Sequence, residues 1–239
     1  MAQPTAHPVK TSTFPDAASA ARAAAAFLSA ECRAAVDARG RFVVALSGGT
    51  TPWLMLQALT REEIPWHAVQ VLQVDERIAP AGTAERNLTH LQETLIKEGP
   101  LKLEQLHAMP VEAPDLEQAA QRYRQVVEAV AGTPPVIDVA HLGLGVDGHT
   151  ASLIPGDPVL DITGADVVIS GIYQGTRRMT LTYPIFNAAR QILWLVTGKE
   201  KAAALARLQA GDLSIPAGRI RRDDAVIFAD RDAAGESHG

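Results

Sequence analysis

The chain has one cysteine in 239 residues, Cys32, set in an alanine-rich stretch. A single thiol builds neither a disulfide framework nor a cysteine-rich metal site, so Cys32 reads as a small buried apolar side chain. Long apolar runs are missing too: the longest, AARAAAAFLSA, contains Arg22 and is soon followed by Glu31 and Arg33, which excludes a membrane span. The opening MAQPTAHPVKTSTFP lacks the apolar core of a secretory leader, and a reducing cytoplasm is the expected location. A surplus of positive charge is absent as well. Lys and Arg number 22 against 27 Asp and Glu, a formal net charge of −5, which argues against a general nucleic-acid binder but leaves room for a local anion pocket. No internal repeat, low-complexity linker or compositional break divides the chain.

What is present is an alternation of strand-like and helix-like segments. Residues 16–38 are dominated by alanine, the best helix former, and Gly40 is placed to stop that helix. RFVVAL (41–46) reads as a buried strand, followed by the turn SGGTTP and a helix with Pro52 near its start. VQVLQVD (69–75) reads as a second strand, and VIDVAHLGL (136–144) as a third. Residues 87–97 and 115–130 show helical spacing, with Asn87 and Asp115 as N-caps. DVVISGI (166–172), RMTLTY (178–183), QILWLVT (191–197) and AVIFA (225–229) complete the strands, and a helix follows Gly198. Strands that are apolar throughout, alternating with helices, predict an α/β fold, a doubly wound and mostly parallel sheet flanked by helices. The expectation is one domain over residues 13–230, with flexible tails at 1–12 and 231–239.

Such sheets bind ligands outside the carboxyl ends of their strands, so the segments just after each strand carry the chemistry. In SGGTTP, two glycines let backbone approach a ligand, the helix start presents unpaired N–H groups, and Ser47, Thr50 and Thr51 add hydroxyls. The combination suits a phosphate, although a Gly-Gly pair is also an ordinary turn, and neither nucleotide-binding glycine pattern is matched. VDER (74–77) ends a strand with Asp75, Glu76 and Arg77, either an ion-paired loop start or a carboxylate orienting a polar ligand beside an anion-holding arginine. GLGVDGHTAS (143–152) places His149 two residues after Asp147. An imidazole accepts a proton near neutral pH and a carboxylate can orient it, while the alternative is a turn with an incidental histidine. No second histidine or carboxylate falls at helical metal-ligand spacing from His149, so no metal is expected. Lys199 and Lys201, at a helix start, and Arg177 and Arg178, at the start of RMTLTY, are either solvated or meet an anion.

Taken together, LSGGTTP (46–52), VDER (74–77), LGLGVDGHTASLIPG (142–156), RMTLTYPIFNAAR (178–190) and VTGKEKAAAL (196–205) make the chain resemble the 6-phosphogluconolactonase family from about residue 13 to 230. The resemblance implies a Rossmann-like sheet shared with glucosamine-6-phosphate deaminases, no metal or organic cofactor, and a carboxylic ester hydrolase of the oxidative pentose phosphate pathway. The reaction implied is conversion of 6-phospho-D-glucono-1,5-lactone to 6-phospho-D-gluconate. His149, oriented by Asp147, would take a proton from the attacking water, with Asp75 and Arg77 beside it. Ser47, Gly48, Gly49, Thr50, Thr51, Asn87 and Gly145 would line the substrate. Arg178 rather than Arg177, and Lys201 rather than Lys199, would hold the 6-phosphate. Donors of the glycine loop, or Arg77, would stabilise the oxyanion. The implied partner is this small molecule, with neither nucleic acid nor membrane, in a monomer or weak homo-oligomer.

Two departures matter. Members commonly carry a serine before the asparagine, where this chain has Arg86, a residue that could bring a new contact near the entrance. The related deaminases carry a glutamate shortly after DGH, before a proline, where this chain has Ile154, which transfers no proton. A deaminase-like enzyme is therefore the weaker alternative. A non-catalytic phosphosugar sensor is weaker still, since no helix-turn-helix segment or basic face is evident. The segment 153–164, rich in proline and glycine, is expected to form the mobile entrance.

Overall fold

All five residues of the strand Phe42–Leu46 are buried, and they alternate between two apolar cores. Phe42, Val44 and Leu46 face one; Val43 and Ala45 face the other. A strand covered on both faces has no solvent side, which is why it reads as an unbroken apolar run. The computed structural model describes residues 9–236, and among these the strands are β1 (Lys10–Phe14), β2 (Phe42–Leu46), β3 (Val69–Gln73), β4 (Asp75–Arg77), β5 (Leu106–His107), β6 (Val139–Leu142), β7 (Val167–Ile169), β8 (Arg178–Leu181), β9 (Gln191–Val196) and β10 (Ala225–Asp230). The α-helices are α1 (Ala17–Arg39), α2 (Thr50–Leu59), α3 (Asn87–Leu91), α4 (Leu116–Ala131), α5 (Tyr183–Ala188), α6 (Ala202–Ala210) and α7 (Arg231–Ala234).

Seven strands form a sheet in the order β1-β10-β9-β6-β2-β3-β5, with every neighbouring pair parallel. One face is covered by α1 and α2, through Ala24, Leu28, Met55 and Leu56. The other is covered by α4, α5 and α6, through Tyr123, Val127, Phe186 and Leu205. Helix α1 begins where Asp16 accepts the Ser19 N–H at 2.7 Å and ends at Gly40, whose φ of 73° is the left-handed stop. Its small side chains let it lie close to both α2 and the sheet. Asp138 pins the base of the sheet, accepting from Val43 N and from Arg39, each at 2.8 Å.

From β2 the chain moves outward to β3, whereas from β6 it moves the other way to β9. The neighbours β2 and β6 thus flank the topological switch point, and the loops leaving their carboxyl ends diverge around a crevice. These loops are Ser47–Gly49 and the glycine-rich segment after Leu142.

The predicted strand 69–75 is two strands. The chain leaves the large sheet at Val74, whose N–H donates to Leu46 O and whose carbonyl accepts from Leu181 N. The polar Asp75–Arg77 then pairs antiparallel with β8, which pairs with β7, in a second sheet of order β4-β8-β7 that sequence reading did not foresee. The tails are also shorter than predicted: Lys10–Ser12 pair with Val226–Phe228 in β1, and 231–234 form α7, while residues 1–8 and 237–239 lie outside the described residues. Asp115 caps α4 through Gln118 N at 2.9 Å, but Asn87 is already the first helical residue of α3 and its side chain serves elsewhere. The segment 153–164 is pinned rather than loose: Leu153, Ile154 and Val159 are buried, and Asp157 accepts from Val159 N and Gly171 N.

Candidate active site

The loop after β6 closes on itself. Gly145 N donates to His149 O at 2.8 Å, Gly148 N to Gly145 O at 3.0 Å, and Thr150 Oγ1 to Gly143 O at 2.8 Å. Within this loop Asp147 Oδ1 accepts from His149 N at 3.1 Å and lies 2.6 Å from His149 Nδ1. A carboxylate at that distance holds the proton on Nδ1 and leaves Nε2 as the basic nitrogen. Burial pulls the Asp147 carboxyl upward, but hydrogen bonds from the His149 backbone and ring and from Tyr173 outweigh it and hold the group below its usual range. The glycine at 145 is required by contact, since a Cβ there would sit 2.0 Å from His149 Nδ1. Gly145→Ala is expected to displace the imidazole and lower kcat about 10²-fold with the fold intact, checked by steady-state kinetics alongside circular dichroism.

His149 borders a cleft of about 380 Å³ together with Ser47, Gly48, Gly49, Thr50, Asp75, Arg77, Asn87, Gly145, Arg178 and Lys201. Of the residues expected at the site, Asp147 stands behind His149, and Thr51 faces an adjoining cavity with its hydroxyl 2.5 Å from that of Thr197. Beneath the Ser47 loop lies His141, fully buried, with Nδ1 accepting from Ser47 N at 3.3 Å. Burial pushes its pKa down to about 3 from 6.5. Because the folded value lies below the unfolded one, the stability this neutral histidine confers is complete above pH 6.5 and is lost as pH falls toward 3. His141→Asn, which cannot titrate, is expected to flatten the stability curve in that window by about 1.4 kcal/mol per pH unit, read from urea melts at pH 6 and pH 4.

The second wall is built by β4. Asp75 is buried, accepts the Ser152 hydroxyl at 2.6 Å, and receives Asn87 Nδ2 on its carbonyl at 3.0 Å. Burial pushes its carboxyl upward, and the Ser152 bond and the Arg178 charge offset only part of that. Glu76 points away from the cleft and is structural: its oxygens accept from Asn87 N, Leu88 N, Arg77 N and Gln73 Nε2 at 2.8–2.9 Å, which anchors the start of α3. Arg86 joins this buried cluster, with Nε 3.2 Å from Glu76 Oε2 and an N–H on Ala79 O. The expected contact of Arg86 at the entrance is therefore not made; the side chain is drawn inward to neutralise Glu76. Asn87 in turn sets the shape of the glycine turn, since a Cβ on Gly48 would lie 1.9 Å from Asn87 Oδ1.

Arg178, the first residue of β8, is buried, whereas Arg177 is exposed. Its Nε has no hydrogen-bond partner among the described residues, so a buried guanidinium donor is left for a ligand. Lys201 borders the cleft without an ion-pair partner among the described residues, while Lys199 is exposed. Three side chains were not anticipated. Trp53 and His90 stack at 4.8 Å between ring centroids and form part of the cleft lining. Tyr173 reaches Asp147 and lies under Arg178. Each depends on contacts across 24 residues or more or on a turn far from the motif, so no local spacing betrays it. Among the described residues no group of three His, Cys, Asp or Glu side chains is gathered as a metal site.

A parallel sheet that opens a polar, cation-bearing cleft at its switch point defines the class: a doubly wound α/β protein with its ligand site at the carboxyl edge of the strands. Residues 15–228 match the family model described as glucosamine-6-phosphate isomerases/6-phosphogluconolactonase, and the chain belongs to that family. A 6-phosphogluconolactonase of Mycobacterium tuberculosis is 36% identical over 235 residues, 92% of this chain and 95% of that protein. The solved 6-phosphogluconolactonase from Trypanosoma cruzi superposes with a TM-score of 0.85 at 24% identity, over 97% of each chain. A monomeric glucosamine-6-phosphate deaminase superposes with a TM-score of 0.83 at 19% identity, over 95% of this chain and all of that one. The fold is thus common to both activities. No helix among the described residues is long and apolar enough to cross a membrane.

Proposed function

We propose that the chain hydrolyses 6-phospho-D-glucono-1,5-lactone to 6-phospho-D-gluconate. The observation that carries the reading is the union, in one cleft, of a carboxylate-held imidazole and an anion cradle made by Arg178, Lys201 and the 48–50 turn. The two halves match the two ends of the substrate, an ester at one and a phosphate dianion at the other. His149 Nε2 takes a proton from water as the oxygen attacks C1, and the ring C–O bond breaks as the tetrahedral intermediate collapses. The same nitrogen returns the proton to the departing ring oxygen, so the imidazole is restored each cycle. Gly145 N is already spent on His149 O, and Arg77 supplies the charge that the oxyanion requires. Asp75 accepts a sugar hydroxyl and sets the ring against His149.

Ile154 weighs against deamination, because a buried isoleucine stands where the deaminases place a proton-transferring glutamate. Presented with each phosphosugar in turn, the chain is expected to speed loss of the lactone and to release no ammonia from glucosamine 6-phosphate. Ammonia release without lactone hydrolysis would transfer the reading to the deaminase.

A further inference from the structure

Tyr173 sits on a tight turn that brings it to the site from outside every recognisable motif. Tyr173 and Thr176 exchange backbone hydrogen bonds at 2.9 and 3.3 Å around Gln174 and Gly175, whose φ values are 50° and 85°. Two positive φ values at the centre are the signature of a turn whose twist matches a hairpin. Few non-glycine residues occupy the region Gln174 adopts, so this conformation is held in place by its surroundings. The turn is tied on both sides: Gly171 N donates to Asp157 at 2.7 Å, and Thr176 Oγ1 donates to Ile78 O at 3.0 Å.

From this turn the Tyr173 hydroxyl donates to Asp147 Oδ2 at 3.0 Å and lies 3.3 Å from His149 Nδ1. Its ring meets the imidazole edge-on at 5.1 Å, and the Arg178 guanidinium lies over the same ring at 5.1 Å. Gln174 adds a bond from Arg178 at 3.3 Å. One side chain therefore touches the oriented base, the carboxylate that orients it and the buried cation.

We propose that Tyr173 is a positioning residue that locks the Asp147 carboxylate onto His149 and, through its ring, seats Arg178 at the anion end of the cleft. The proposal rests on His149 acting as the base in the reaction above. Asp147 is partly open to solvent, and its Oδ1 is committed to His149. The tyrosine hydroxyl is what fixes Oδ2, so without it the carboxylate swings toward water and the imidazole loses its defined orientation. The hydroxyl and the ring have separable tasks, which two substitutions resolve.

Tyr173→Phe keeps the ring and removes the hydroxyl, and is expected to lower kcat about 10-fold with KM within about twofold of wild type. Tyr173→Ala removes both and is expected to lower kcat similarly while raising KM about fivefold, from loss of the ring under Arg178. The His149 Nδ1 proton is expected to resonate downfield by NMR in the wild type and to broaden or vanish by exchange in both variants. Wild-type kcat with an unchanged Nδ1 resonance in Tyr173→Phe would overturn the proposal. So would a large fall in the Tyr173→Phe melting temperature with kcat and KM degraded together, the pattern of a merely structural side chain. If the wild type fails to hydrolyse the lactone, the functional reading falls and the NMR comparison alone decides the positioning role.

Discussion

Replacing His149 by alanine is expected to lower kcat by about 10²–10⁴ while leaving KM nearly unchanged, because general-base help acts on the transition state and contributes little to holding the substrate. The geometry supports the separation. The His149 ring makes its shortest contact backward, to Asp147 at 2.6 Å, and the groups suited to the phosphate, Arg178, Lys201 and the 48–50 turn, belong to other elements. Titration with the product, 6-phosphogluconate, should give the variant an affinity close to that of the wild type. Near-wild-type turnover in His149→Ala would remove the histidine from the chemistry, and a large rise in KM would make it a binding residue instead.

The second large effect is expected at Arg178. Arg178→Ala should raise KM about 10–10²-fold and reduce kcat less, since a phosphate held away from the reacting carbon serves mainly as an anchor. Of the two cations, Arg178 is expected to be the stronger anchor, because its guanidinium is buried with Nε unpartnered among the described residues, so its donor strength is not spent on water. Burial lowers its pKa, yet an arginine starts so high that it stays charged at any working pH. Arg178→Lys is expected to recover only part of the loss, because an ammonium cannot present the planar fork that the guanidinium places over the Tyr173 ring. Initial rates across a range of lactone concentrations separate the two parameters, and an unchanged KM would contradict the phosphate assignment.

How much of this was legible beforehand follows from where each signal resides. The central parallel strands carry long buried apolar runs, as in Phe42–Leu46 and residues 192–196 of β9, so they stood out in the sequence. Their carboxyl ends necessarily carry the exceptions, and SGGTT, DER and GVDGH could be read as chemistry for that reason. The small sheet was illegible because β4 is three polar residues whose pairing with β8 spans about a hundred positions. Strand β1, KTSTF, is a polar edge strand with one covered side, and it resembled a tail. Glu76 and Asp75 are adjacent in sequence, and only the fold separates the carboxylate that lines the cleft from the one that anchors Asn87 and Arg86. Tyr173 was hidden for the same reason: its partner Asp147 lies 26 residues away, joined by a turn rather than by a repeat or a motif.

The central claim is that this cleft hydrolyses a phosphosugar lactone with His149 as base. The most direct measurement is the decay of 6-phospho-D-glucono-1,5-lactone, made in situ by oxidation of glucose 6-phosphate, at several concentrations of wild type and of His149→Ala. Decay is predicted to rise above the spontaneous rate in proportion to wild-type concentration, and to stay close to the spontaneous rate with the variant. No acceleration by the wild type, or equal acceleration by both proteins, would contradict the account.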